Sequence, residues 1–91
     1  MSQKIRKEFR FYGWVQGVGF RYRARQAAQM TGCTGWVRNE YDGSVSMEIQ
    51  GTEAQISQVI HAVTQGRFVD VEDVSVNMIP VVPGERGFHS W

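Results

Sequence analysis

The stretch Val15-Gln16-Gly17-Val18-Gly19-Phe20-Arg21 separates two hydrophobic rhythms, and the change of rhythm decides the fold. Before it, from Ile5 to Trp14, Ile5, Phe9 and Phe11 fall on one side of a period of two. Arg6, Glu8, Arg10 and Tyr12 fall on the other, with Lys7 breaking the pattern, and this alternation predicts a strand. After it, Phe20, Ala24, Ala27, Ala28 and Thr31 share one stripe at the helical period. Gly32 suits the position just past a helix end, so a helix is expected over about Gly19 to Thr31.

The start of that helix is chemically unusual. A helix start leaves four backbone N–H groups unpaired and carries a partial positive charge, which a capping side chain or an acidic residue normally meets. Here two glycines and no capping side chain precede it, and a cation, Arg21, sits in its first turn. Glycines let backbone N–H groups converge on an oxyanion, so the stretch from Val15 to Arg21 reads as a phosphate cradle.

Further along, short strands are expected near Thr34 to Asn39 and Ser44 to Gln50, joined through Glu40-Tyr41-Asp42-Gly43, whose Asp-Gly pair signals a hairpin. In the second of these, Val45, Met47 and Ile49 alternate with Ser44, Ser46 and Glu48, which predicts one buried and one wet face. Thr52-Glu53-Ala54-Gln55 is a capping box, followed by Ile56, Val59, Ile60 and Val63 on one helical stripe and closed by Gly66. A strand through Val74, Val76 and Met78 lies within Val69 to Ile79, Pro80 and Pro83 bracket a loop, and Gly87 to Trp91 suits a short final strand.

The order strand, helix, strand, strand, helix, strand, strand implies an α+β fold: a ferredoxin-like two-layer sandwich, or split βαβ. It has two helices on one face of a mainly antiparallel sheet with a short C-terminal extra strand, and residues 1–91 form a single domain. In this topology the first two strands run the same way with the third between them. Their ends therefore share one sheet edge, roughly 10 Å apart at two strand spacings, which leaves room for a phosphate and a water. Asn39 ends the second strand and shares a face with Val37, so it is expected to point toward the start of the first helix.

A formal net charge of +1 excludes a broad nucleic-acid or membrane surface, so anion binding should be local. The single cysteine, Cys33, rules out an internal disulfide and a cysteine metal cluster, and reads as a small buried hydrophobe. Met1 to Glu8 is charged and lacks the apolar run of a signal peptide, and no segment has the length of a membrane span, so the expected location is the cytoplasm. A Walker loop would need a lysine and a hydroxyl after its last glycine, and the dinucleotide fingerprint would need a third glycine where Tyr22 stands.

Gly13 through Arg21, then Gly32-Cys33-Thr34-Gly35-Trp36-Val37-Arg38-Asn39, then Asp42-Gly43-Ser44-Val45, resemble three linked motifs of the acylphosphatase family at family spacing. Trp14 departs from the arginine common there, and Gln65 to Asp70 lacks the usual glycine-proline wording. The resemblance implies hydrolysis of an acyl phosphate to a carboxylate and inorganic phosphate. It also implies that Arg21 binds the phosphoryl group with the loop amides and that Asn39 positions the attacking water.

Such a reaction suits these residues. The leaving carboxylate belongs to an acid of pKa about 4 and needs no general acid at neutral pH. A guanidinium fork and several N–H groups can hold the equatorial oxygens of a loose transition state. No cofactor or metal is therefore expected, inorganic phosphate is both product and inhibitor, and the chain is expected to act as a monomer without nucleic acid or membrane partners. The alternatives are a phosphate-binding relative without turnover and a ferredoxin-like nucleic-acid-binding module, for which Phe9, Phe11, Tyr12 and Trp14 supply aromatics without the ribonucleoprotein motif. His61 and His89 read as surface or partly packed. Arg23 and Arg25 read better as a solvated helix face than as added potential beside Arg21, and Glu40 with Asp42 makes a poor acid/base pair because the turn already explains Asp42.

Overall fold

The computed structural model describes residues 3–91; Met1 and Ser2, part of the charged start read above, lie outside them. The elements are β1 (Ile5–Trp14), α1 (Phe20–Thr31), β2 (Thr34–Asn39), β3 (Val45–Gly51), α2 (Glu53–Thr64), β4 (Asp70–Ile79) and β5 (Phe88–Ser90). They form a five-stranded sheet in the order β4-β1-β3-β2-β5, antiparallel except that β5 runs parallel to β2. The expected ferredoxin-like sandwich with its extra strand is the observed one.

The core lies between the sheet and the two helices. Phe9 and Phe11 from β1, Val37 from β2 and Val45, Met47 and Ile49 from β3 are buried against Phe20, Ala24 and Ala28 of α1 and Ile56, Val59 and Val63 of α2. Large aliphatic and aromatic side chains of this kind each contribute about 1.5–3 kcal/mol on leaving water, which makes this layer the main source of stability. Lys7 lies on the same side as Phe9 and reaches out to Glu53 at 2.7 Å, which is how a lysine ends a core-facing row. Cys33 is buried, as expected, and burial pushes its thiol pKa up.

One expectation needs correction. The far face of β3 is not simply wet: Ser44, Ser46 and Gln50 are buried. The charged row of β1 covers it, and the segment after β4 crosses that face. The Gln50 side chain holds Val82 at both its N–H (2.8 Å) and its carbonyl (3.0 Å). Arg6, 2% exposed, pairs with Glu48 at 3.0 Å and Glu85 at 2.6 Å. Burial opposes the Arg6 charge, but these two carboxylates outweigh it and raise its pKa. This crossing carries the chain from β4 at one edge to β5 at the other.

The expected strand through Val74, Val76 and Met78 is β4, at the sheet edge opposite β5. Val74, Val76 and Met78 pair with Phe11, Phe9 and Lys7, on the helix side of the sheet, yet all three are exposed. The helices pack on each other, with α1 over β2 and β5 and α2 over β3, so a two-helix layer leaves this edge of five strands uncovered.

Candidate active site

β3 lies between β1 and β2, with Phe11 and Asn39 both opposite Val45, so the ends of the two parallel strands meet at one edge as expected. The loop after β1 is pinned at both ends by core side chains. Val15 and Phe20 are each 1% exposed, and the Phe20 ring sits 4.9 Å from that of Phe11. Between these anchors Gly17 and Gly19 adopt left-handed conformations, φ 72° and 80°, which any other residue would take only with strain.

Gln16 ties the loop to the β2–β3 turn, its side-chain amide donating to the carbonyls of Glu40 (2.8 Å) and Ser44 (2.9 Å). The Val15 N–H is taken by Gly13, whereas the N–H groups of Gly17, Val18 and Gly19 meet no acceptor among the described residues. Gly19 occupies the N-cap position of α1 with no side-chain hydrogen bond and no acidic residue in the first turn.

These elements enclose a cavity of about 150 Å3 lined by Val15, Gly17, Gly19, Phe20, Arg21, Tyr22 and Asn39. The Arg21 Nη1 donates to the main-chain oxygen of Trp91 at 2.8 Å, a partner that β5 brings to this edge, where the Trp91 N–H in turn bonds to the carbonyl of Val37 at 2.9 Å. One donor of five is thus engaged, and the tether orients the planar fork that remains. The position of Asn39 across the cavity from the loop follows from the two-residue period that buries Val37. Trp14 is 69% exposed and lies outside the lining.

The carboxylates nearby are structural. Hydrogen bonds from Arg38 and Ser46 hold the Glu40 pKa below the usual range, and the Ser44 hydroxyl and N–H do the same for Asp42. Both are ionised at neutral pH and neither supplies an acid. His61 and His89 are exposed; His89 stacks on Trp91 with ring centres 5.3 Å apart.

A larger hollow of about 390 Å3 lies on the opposite sheet face, walled by Tyr12, Trp36, Arg10 and Arg38. Its two arginines are already paired, Arg38 to Glu40 at 2.7 Å and Arg10 to Asp42 at 3.2 Å, so the smaller cavity is the one with donors to offer. Of the residues singled out in the sequence, Val15, Gly17, Gly19, Phe20, Arg21 and Asn39 line this cavity, whereas Gln16 and Val18 belong to the loop without lining it. What the sequence missed is Arg23, read as solvated but buried at its guanidinium.

The family model described as acylphosphatase matches residues 7–90. An acylphosphatase of Clostridium beijerinckii is 39% identical over 77 residues, covering 84% of this chain and 86% of the relative. Another, from Salinibacter ruber, is 44% identical over 80 residues, covering 87% and 84%. In three dimensions the chain superposes on the crystal structure of acylphosphatase from Bacillus subtilis with a TM-score of 0.87 at 33% identity, covering 96% of this chain and 98% of that one.

Proposed function

The chain belongs to the acylphosphatase family, and from that premise we infer that its reaction, hydrolysis of an acyl phosphate to a carboxylate and inorganic phosphate, is carried out at the glycine-loop edge. The observation that carries the assignment of roles is that Gly17, Gly19, Arg21 and Asn39 line one small cavity beside loop N–H groups that meet no acceptor among the described residues.

In this reading the loop from Val15 to Arg21 holds the phosphoryl group. Val15 and Phe20 anchor it from the core, Gln16 fixes it to the hairpin, and the backbone N–H groups of Gly17, Val18 and Gly19 point their dipoles at the equatorial oxygens. Arg21 contributes the charge that develops on those oxygens a fixed, bidentate partner. Asn39, on the opposite wall, orients a water toward phosphorus, and its amide fits that task because it can accept from one O–H of the water while leaving a lone pair directed at the substrate. The departing carboxylate is a weak base and leaves without a proton donor.

The substrate is a small-molecule acyl phosphate, and inorganic phosphate, sharing the same contacts, acts as a competitive inhibitor. One chain supplies every residue of the site, which supports a monomer as the working unit. Among the described residues no helix is long and apolar enough to cross a membrane, and the cytoplasm is the proposed location.

The deciding measurement is hydrolysis of benzoyl phosphate by the purified protein, with and without a chelator. Turnover unchanged by the chelator is the expected result. Binding of phosphate without any turnover would instead make the chain a phosphate-binding relative.

A further inference from the structure

Arg23 lies one turn into α1, and its guanidinium is folded back against the loop. Nη1 donates to the carbonyl of Val18 at 3.1 Å, and the Arg23 backbone N–H donates to the carbonyl of Gly19 at 3.0 Å. The remaining polar atoms, Nε and Nη2, are buried with no hydrogen-bond partner among the described residues. They pack on Gly66, just beyond α2: a Cβ placed there would sit 2.0 Å from Nη2 and 2.2 Å from the guanidinium carbon. An arginine with unsatisfied buried donors is unfavourable for stability, so its retention calls for another reason.

Peptide geometry supplies one. The described chain contains no cis peptide bond, and in a trans peptide the C=O and N–H point in opposite directions. The 18–19 and 19–20 peptides both turn their carbonyls toward Arg23, one to its side chain and one to its backbone. Their N–H groups, those of Gly19 and Phe20, must therefore face away from Arg23, toward the cavity that Gly19 lines with Arg21 and Asn39. Gly19 is also the residue with the least intrinsic preference to stay so aligned, at φ 80° with no Cβ.

We propose that Arg23 is a positioning residue for the phosphate cradle: it fixes the Val18–Gly19 peptide so that its N–H meets the phosphoryl oxygens, and Gly66 leaves the space in which its guanidinium sits. This rests on the assignment of the loop and Arg21 to phosphate binding. It also explains Gly66 better than helix termination does, since Gly66, one residue past the C-cap Gln65, lacks the positive φ of a left-handed terminating glycine.

The test is a double-mutant cycle of Arg23→Met and Gly66→Ala, read by benzoyl phosphate kinetics, the inhibition constant of inorganic phosphate and thermal melting. Arg23→Met should lower kcat/KM by roughly 10- to 100-fold, the scale of a misaligned catalytic group, and weaken phosphate inhibition. Its Tm should hold or rise, because an unsatisfied buried charge is replaced by an apolar chain of similar length. Gly66→Ala should act in the same direction by displacing the guanidinium, and in the Arg23→Met background it should change kcat/KM by less than about twofold.

Parent-like kinetics and phosphate inhibition in Arg23→Met would overturn the proposal, as would a Gly66→Ala penalty that persists undiminished without the arginine. Arg21→Ala in the same assay separates the two levels. Full activity there removes the underlying site assignment, whereas loss there with an unaffected Arg23→Met removes only the role of Arg23.

Discussion

The two helices have the same length, 12 residues, and pack side by side, but they begin in opposite ways. At α2 the Thr52 hydroxyl accepts from the Gln55 N–H at 3.2 Å, the Gln55 side chain accepts from the Thr52 N–H at 2.9 Å, and Glu53 stands in the first turn. Every device that quiets a helix start is present. At α1 none is: a left-handed glycine takes the N-cap, no acid follows, and Arg21 adds positive charge to the positive end. The same chain therefore knows how to cap a helix and leaves one uncapped. In the proposed reading, α1 is the start whose donors a bound phosphoryl group completes.

The contrast is broken most severely at Arg21. Arg21→Ala and Arg21→Lys should both lower kcat by roughly 10²–10³, about 3–4 kcal/mol in the barrier, because an ammonium keeps charge and loses the planar fork. Near-parent turnover in a folded Arg21→Lys protein would remove the assigned role. Across the cavity, Asn39→Ala should lower kcat by roughly 100-fold while changing the phosphate inhibition constant little, since aligning a water matters to attack and not to holding the anion. Parallel losses in both quantities would make Asn39 a phosphate ligand.

A gentler probe supplies the anion that α1 lacks. Inorganic phosphate at about 100 times its dissociation constant should stabilise the fold by about 2.7 kcal/mol, a rise in Tm on the order of 10–20 °C for a domain of this size. The control is chloride at equal ionic strength, with sulfate as a related oxyanion. Equal protection of parent and Arg21→Ala would place the effect elsewhere. At α2 the smallest change is expected: Thr52→Ala should cost about 1 kcal/mol of stability and leave kcat/KM unaltered. A kinetic defect in that variant would show that the two helix starts are not functionally distinct.

Much of this was legible because it is local. The bounds of β1 and β2 follow from a period of two and the start of α1 from its glycines. Gly32 in a left-handed C-cap and the capping box at Thr52 are each written within a few residues. The placement of Asn39 opposite Arg21 required only the strand order. Arg23 was misread because the space it occupies is set by Gly66, a residue far along the chain that periodicity cannot connect to it. The covering of Gln50 likewise depends on the Val82–Glu85 crossing, that of Ser44 and Ser46 on Arg10, Asp42 and Glu40, and the exposure of Val74, Val76 and Met78 on how far two helices reach across five strands. An apolar alternation says which side chains share a face, and only tertiary packing says whether anything covers it.

The tether on Arg21 has a consequence for how activity is lost on warming. Its partner follows β5, a strand of three residues paired on one side only, at the margin of the sheet. Short marginal strands open by local fluctuation well before the core gives way, so the Trp91 amide should exchange its hydrogen for solvent deuterium faster than those of β3 in the sheet centre. Each such opening frees the guanidinium from its fixed direction. Turnover should therefore begin to fall below its Arrhenius line several degrees before the cooperative melt, at temperatures where the helices still show their full circular dichroism.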